Sequence, residues 1–464
     1  MLTYELKKSP GVPLYEALYR CIRADILSGH LAPDTKLPSK RALAEHLEVS
    51  KITVETAYGQ LLEEGYIRSV QKVGYFVEPI LQKTPAAAPV KSREESTADS
   101  GVGPEKFPFS VWSRLQREVL QDYGEKLLLP LHSQGSIELR RAIADHLSQF
   151  RGMNVDPGNI LVGAGTDFLY NLLIQLLGRD KIYAVEEPGY DKIRKIYAAG
   201  GVACVSAVLD GQGVDPEKLG NAQVLHISPA HHFPLGLVTP LSRRQELLRW
   251  AAERDGYIIE DDYDSEFRFD AHPVPTMMSL DGNGRVVYMN TFSKSLAPSI
   301  RISYMVLPEG MMQKFREKLG FYSCTVSSFE QQTLARFLSR GHFEKHINRM
   351  RRFYRARRNR ILEILKTCDF ADRLTIREED AGLHFLLAVD TDMPDTQLVA
   401  LCAKAGLNVR ALSSFYHSPV GETVAHILVV NYATLREEDL ETALKNMAET
   451  ESTIDGAGKK YYTS

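Results

Sequence analysis

The sequence predicts a multidomain α/β protein: a small N-terminal winged helix-turn-helix domain joined to a larger C-terminal domain with a mostly parallel sheet. Three observations lead there. Residues 1–78 hold three short helical patterns with capping residues, followed by a strand pair. Residues 79–105 are rich in Pro, Ala, Ser, Glu and Lys and lack apolar periodicity. From residue 106, short apolar runs alternate with helical patterns, which gives a largely parallel sheet covered by helices on both faces.

The N-terminal elements follow in order. Leu14, Leu18, Ile22 and Ile26 recur at helical spacing after Pro13, and Gly29 ends that helix. Ser39 caps a short helix over Lys40–Leu47, and Ser50 caps a third over Lys51–Glu64 that stops at Gly65. Two short helices joined by a tight turn form a helix-turn-helix pattern. Tyr66–Val70 and Tyr75–Val77 then flank Gln71-Lys72-Val73-Gly74 as a small hairpin or wing. Residues 1–80 carry ten Lys/Arg against ten Asp/Glu, so no bulk basic charge points to nucleic acid. The run LAPDTKLPSKRALAEHLEVSKITVETAYGQLLEEGYI nevertheless resembles the GntR-type winged-helix domain over its whole length. That resemblance implies contact with double-stranded promoter DNA through Arg41, Ser50, Lys51 and Thr53, with Lys72 and Gly74 in the wing. The start of the third helix would enter the major groove, where Thr53 and Lys51 reach bases or phosphates. Glu55 stands where relatives often carry a basic residue; it either accepts from a cytosine amine or faces solvent.

Residues 79–105 read as a flexible, partly extended tether. In residues 106–450 the candidate strands are Ile160–Val162, Ile182–Val185, Val224–Ile227, Tyr257–Glu260, Val286–Met289 and Tyr304–Leu307, with helices such as Asp167–Leu177 and Arg243–Arg254 between them. The last residues, 451–464, read as a disordered tail.

Chemistry-bearing residues fall at the strand ends. After Val286–Asn290 comes a Thr/Ser-rich turn holding Lys294, with Arg301 seven residues on. An amine among hydroxyls and facing an arginine suits a phosphorylated carbonyl cofactor: the lysine supplies a Schiff base, and the hydroxyls and arginine hold a phosphate. Gly163 and Gly165 open a helix, where free N–H groups favour phosphate, although a plain αβ turn reads the same way. Tyr190 in EEPGY either stacks on a flat ring or packs in a core. YIIEDDYDSEF ends a strand with Asp261, Asp262 and Asp264 around Tyr263; these carboxylates suit a metal or, singly, a protonated pyridine nitrogen.

Together, and in this order, these residues resemble the fold-type I aminotransferase domain that binds pyridoxal 5′-phosphate (PLP), over roughly residues 107–450. The resemblance implies Lys294 as the Schiff-base lysine and Arg301 as the phosphate arginine, with Thr291 and Ser293 beside the phosphate. It implies Asp261 at the ring nitrogen, Tyr263 near the ring oxygen and Tyr190 stacked on the ring, with Gly165, Thr166 and Asp167 closing the phosphate cup. The chain departs from the catalytic pattern at two places. Phe233-Pro234-Leu235-Gly236 replaces Asn-Pro-x-Gly, so one of His231 and His232 substitutes for the asparagine or the contact is missing. LVVNYA (428–433) lacks the arginine that holds a substrate carboxylate, leaving Arg410, then Lys192, as candidates for an effector. Residues 345–360 carry seven arginines from Arg349 to Arg360, either a solvated helix face or a second DNA-backbone contact.

A GntR-type reader tethered to an aminotransferase-like domain resembles the MocR/GabR class of bacterial transcription regulators. The class implies a homodimer, arranged head-to-tail with swapped domains, that senses a small amine or amino acid, or PLP itself, without being an enzyme. The competing expectation is an active aminotransferase with an appended DNA-binding domain. The remaining composition agrees with a cytoplasmic regulator. Length leaves room for roughly two to four domains, and 44% hydrophobic and 25% charged residues are ordinary for a globular protein. Five scattered cysteines without a CxxC fit a reducing compartment and argue against structural zinc, so no metal is expected. The start MLTYELKKSPG is too polar for a signal peptide, and no run approaches the ~20 apolar residues of a membrane span.

Overall fold

The computed structural model describes residues 2–4, 13–79, 106–267, 274–369, 371–377, 382–418 and 424–458. The chain divides into two compact units, with the boundary at Ser96–Thr97. The expected linker, apart from residue 79, lies outside the described residues.

The N-terminal unit contains α1 (Leu14–Ser28), α2 (Lys40–His46), α3 (Lys51–Glu63), β1 (Ile67–Val70) and β2 (Gly74–Val77). Local chemistry sets these ends. Gly29 stops α1 at φ +82, a left-handed backbone that costs glycine nothing. Ser39 Oγ accepts from Ala42 N, and Ser50 Oγ accepts from Thr53 N at 3.1 Å, so both caps satisfy an orphan helix N–H. Leu18, Ile22, Leu43, Val54, Tyr58, Leu61, Ile67 and Val77 close one apolar core among these elements. The antiparallel β1–β2 hairpin forms the wing, with Val70 opposite Gly74.

The C-terminal unit begins with α4 (Phe109–Tyr123) and α5 (Ile137–Arg151), then β3 (Ile160–Gly163), α6 (Thr166–Leu177), β4 (Ile182–Glu187), α7 (Asp191–Ala199), β5 (Ala203–Asp210), β6 (Gly213–Val214) and β7 (Val224–Ile227). It continues through α8 (Leu241–Glu253), β8 (Tyr257–Asp261), α9 (Met277–Leu280), β9 (Val286–Thr291), α10 (Phe292–Ser295), β10 (Ser303–Val306), α11 (Glu309–Leu319), α12 (Ser328–Ser339) and α13 (His342–Thr367). The chain ends in β11 (Leu374–Arg377), β12 (His384–Val389), α14 (Asp395–Lys404), β13 (Arg410–Ala411), β14 (Ile427–Asn431) and α15 (Glu437–Gly458).

Eight strands form one sheet in the order β3-β10-β9-β8-β7-β4-β5-β6. From β9 to β5 all neighbours are parallel, while β10 runs antiparallel to both β3 and β9. The central strands are buried on both faces, which is why they read as unbroken apolar runs. All six expected strands are present. β5, with alternating exposure, and the four-stranded antiparallel sheet β11-β12-β14-β13 were not expected. The disordered tail expected from residue 451 is instead helical to Gly458; residues 459–464 lie outside the described residues.

Candidate functional site

The parallel strands β4, β8 and β9 all deliver their C-terminal ends to one cavity of about 550 Å3. Of the expected residues, Gly165, Thr166, Asp167, Tyr190, Lys192, Asp261, Tyr263, Thr291, Ser293, Lys294 and Arg301 line it. Positions spread over more than 130 residues of sequence thus meet in one place, because strand ends of a doubly wound sheet converge on one edge.

On one wall is an anion cradle. Gly165 caps α6 with φ +88 and ψ 161, a backbone region open essentially to glycine alone. A Cβ there would stand 2.5 Å from Arg301 Nη2, so glycine lets the guanidinium lie against the start of the helix. Arg301, itself at φ +50, lies 3.3 Å from Asp167 Oδ2, and Lys192 Nζ lies 2.8 Å from the same oxygen. Thr291 Oγ1 accepts from Ser293 N at 3.1 Å and from Ser303 Oγ at 2.7 Å, which shapes the turn that carries Lys294. Ser293 Oγ is buried without a hydrogen-bond partner.

At the C-terminal end of β8, Asp261 is 5% exposed. Its Oδ2 accepts from the Tyr170 hydroxyl at 2.5 Å and lies 3.6 Å from His226 Nε2, while His226 Nδ1 lies 2.7 Å from the Tyr197 hydroxyl. Asp261 Oδ1 is buried with no partner. Burial and the adjacent Asp261 carboxylate hold the Tyr170 phenol well above its ordinary range, so it stays a donor. The other two aspartates of the run have partners of their own. Asp262 pairs with Arg151 at 2.9 Å and accepts from Tyr288 at 2.6 Å; Asp264 lies 2.7 Å from His231 Nδ1. Among the described residues no cluster of three His, Cys, Asp or Glu could hold a metal ion.

Two expected effector residues do not line the cavity. His232 is buried beside Glu186, its Nε2 3.7 Å from Oε2, and burial lowers its imidazole to about 3. The turn closed by His232 N to Leu237 O and Gly236 N to His232 O sends successive side chains opposite ways, so Phe233 forms the wall instead. Phe233 meets Tyr190, His384 and Phe415 edge-on. Arg410 sits in β13, where strand alternation buries Ala411 and turns Arg410 outward; its guanidinium lies 4.0 Å over the Phe415 ring.

Sequence reasoning missed Tyr170, Glu186, Arg194, His226, His417 and Asn431, all in the cavity wall. Tyr170 carried a signal: it follows Thr166 by one helical turn and so shares its face. Glu186 accepts from Ser228 N at 3.0 Å, and burial raises its carboxyl to about 8. Its neighbour Glu187 points the other way and accepts from His417 N and Ser418 N, fastening that loop to β4.

In the N-terminal unit, Lys51 and Thr53 open α3, and Thr53 Oγ1 lies 2.8 Å from Ser50 Oγ. Arg41 pairs with Glu45 at 3.0 Å and remains largely exposed. Glu55 is 53% exposed and pairs with Lys40, whose Nζ lies 2.7 Å from its Oε1. Lys72 (φ +64) and Gly74 (φ +137) form the wing tip. Of the arginines on α13, Arg351 donates to Glu266 O and Arg357 to Ala433 O, whereas Arg349 and Arg352 are exposed.

The family comparisons agree with this geometry. Residues 105–447 match the aminotransferase class I and II family, and residues 14–77 match the gntR family of bacterial regulatory proteins. The chain is 37% identical over 460 residues to the HTH-type transcriptional regulator YdeL of Bacillus subtilis, covering 96% of this chain and 98% of the relative. It is 32% identical to the probable rhizopine catabolism regulatory protein MocR of Rhizobium meliloti, covering 98% and 97%. With the pyridoxine biosynthesis transcriptional regulator PdxR of Corynebacterium glutamicum it shares 31% identity, covering 93% and 94%. A kynurenine aminotransferase of Pyrococcus horikoshii, solved with PMP, superposes with a TM-score of 0.65 at 26% identity, covering 76% of this chain and 89% of that one. The chain therefore belongs to the MocR-type family of bacterial helix-turn-helix transcriptional regulators, in which a GntR reader is joined to an aminotransferase class I and II domain.

Proposed function

We propose that this regulator holds PLP in the cavity of its aminotransferase-like unit and uses it to sense a small amine, an amino acid or PLP itself, with transamination no part of its role. The observation that carries the reading is that two partly unsatisfied sites line one cavity. The buried, unpartnered Asp261 Oδ1 suits a protonated ring nitrogen, and the Gly165–Arg301 cradle with the unpartnered Ser293 Oγ suits a phosphate. Lys294 lines the same cavity. The chemistry PLP supplies when bound is reversible condensation of its aldehyde with primary amines.

The chain's own residues do the rest. The free N–H groups at the start of α6, helped by its macrodipole, take the phosphate with Arg301, Thr291 and Ser293. Asp261, fixed by Tyr170 and His226, keeps the ring nitrogen protonated. Tyr190 would stack on the ring and Tyr263 would lie near its oxygen, and Lys192, which lines the same cavity, would be available to the effector. Phe233 offers no polar atom where an aminotransferase supplies an asparagine, and the last strand, LVVNYA (428–433), has no arginine where such enzymes carry one; both favour sensing over turnover.

On DNA, α3 enters the major groove with Lys51, Ser50 and Thr53, Arg41 supports it on the backbone, and the wing brings Lys72 and Gly74. No helix among the described residues is long and apolar enough to cross a membrane, and a promoter-binding protein of this kind acts in the cytoplasm. The working form is a head-to-tail homodimer. Leu128, Leu129 and Phe321 are 75%, 64% and 78% exposed, apolar surface that a second copy would cover.

The test is a visible spectrum of the full-length protein titrated with PLP, alongside Lys294→Ala. A bound chromophore that borohydride fixes to Lys294, and that Lys294→Ala lacks, is expected. Amine effectors should then change operator affinity by about 1–3 kcal/mol of coupling. Absence of chromophore from the wild type refutes the reading, and accumulating keto acid would make the protein an enzyme.

A further inference from the structure

Among the described residues of the N-terminal unit, the two large apolar side chains with at least half their surface in solvent are Ile52, 73% exposed, and Val73, 50% exposed. They sit on the first turn of α3 and at the wing tip, the two elements that a winged reader presents to a duplex. A lone exposed isoleucine is ordinary on a protein surface. What sets Ile52 apart is the fate of the polar groups around it. The Ser50 and Thr53 hydroxyls lie 2.8 Å from each other at the cap. Thr56 Oγ1 donates to Ile52 O at 2.9 Å, turning its hydroxyl back onto the helix. Glu55 pairs with Lys40 at 2.7 Å while its side chain stays 53% exposed. Among the described side chains of the first two turns, Lys51, Ile52, Glu55 and Thr56 are exposed, and Ile52 is the apolar one.

Ile52 adds to this face an exposed side chain with no polar atom, which cannot read a hydrogen-bonding base edge. The one base-edge feature in the major groove that an aliphatic side chain recognises is the C5-methyl of thymine. We propose that Ile52 reads a thymine methyl, so that the operator of this protein carries a thymine whose methyl group, rather than its hydrogen-bonding edge, is selected at the start of α3. The inference rests on α3 as the DNA-reading helix.

The experiment begins by letting the protein select its own operator. A duplex pool with a random core is enriched on the full-length protein, and each thymine of the enriched site is replaced singly by deoxyuridine, which removes only the methyl. One thymine per half-site should lose about fourfold in affinity, the size expected for uncovering one methyl group. Ile52→Ala should bind the thymine duplex about fourfold less tightly and no longer distinguish thymine from deoxyuridine at that position. Because Ile52 is exposed, the substitution leaves the core intact. Lys51→Ala separates the two levels of the argument. If it weakens every duplex while no deoxyuridine position matters to the wild type, or while Ile52→Ala keeps the full discrimination, the thymine proposal is overturned and the recognition helix stands. If Lys51→Ala and Ile52→Ala both leave affinity unchanged, α3 is not the reading helix and the proposal falls with it.

Discussion

Replacing Gly165 by alanine perturbs the cofactor cradle by a single methyl group. The added Cβ would meet Arg301 Nη2 at 2.5 Å and its Cζ at 2.7 Å, both closer than non-bonded atoms approach. What gives way is the end of a flexible side chain, so the protein folds and the guanidinium leaves the start of α6. Two costs follow. Alanine at φ +88 and ψ 161 loses about 1–3 kcal/mol of stability in the free protein. Withdrawal of one ionic hydrogen bond removes about 1.5–3 kcal/mol from phosphate binding, a factor of about 10 to 150 in the PLP dissociation constant. Arg301 is half exposed, at 51%, so the lower end applies. The assay is an absorption titration of the full-length protein with PLP, with thermal unfolding of the free protein as a second readout. Arg301→Ala should show the same weakening, and the double variant little more than either single one. PLP affinity within twofold of the wild type in Gly165→Ala would refute the cradle, as would full additivity of the two substitutions.

Three further outcomes are expected. Tyr170→Phe removes the 2.5 Å donor to Asp261 Oδ2 and should cost about 1–3 kcal/mol; the visible band of the PLP-loaded protein should weaken or move, and an unaltered band with unaltered PLP affinity would remove Tyr170 from the positioning of Asp261. Glu186 sits at about 8 against an ordinary 4.5, raised chiefly by burial; its folded form keeps the proton longer than the unfolded chain, so its stabilising contribution is present below pH about 4.5 and is lost as pH rises toward 8, at up to ~1.4 kcal/mol per pH unit, and denaturant midpoints of wild type and Glu186→Gln compared from pH 5 to 8 should diverge by that slope, parallel curves counting against it. Lys51→Ala should lower the salt slope of operator binding by about 0.9 if it neutralises one phosphate, and an unchanged slope would take Lys51 off the backbone.

Local rules carried the sequence far in some places. Ser39 and Ser50 announce their helices because a cap is a contact between residues three apart. The central strands announce themselves because burial on both faces favours an apolar run, as in Val286 to Met289. β5 escaped notice because alternating exposure leaves no apolar run to read, and β13 because it is two residues long. The resemblance supplied most of the cavity, since Lys294, Arg301, Asp261 and Tyr190 fall on recognisable motifs.

The sequence by itself thus determined the two units, the identity of the reader, the lysine and the acid-and-arginine pair around the cavity. Tertiary structure alone decided which neighbours complete it. Asp261 depends on Tyr170, 91 residues away in sequence, and Arg301 depends on Gly165 lacking a side chain 136 positions earlier. It also turned His232 and Arg410 away, because the direction of a side chain in a turn or an edge strand is fixed by register against distant strands, and no local pattern of residues encodes that register.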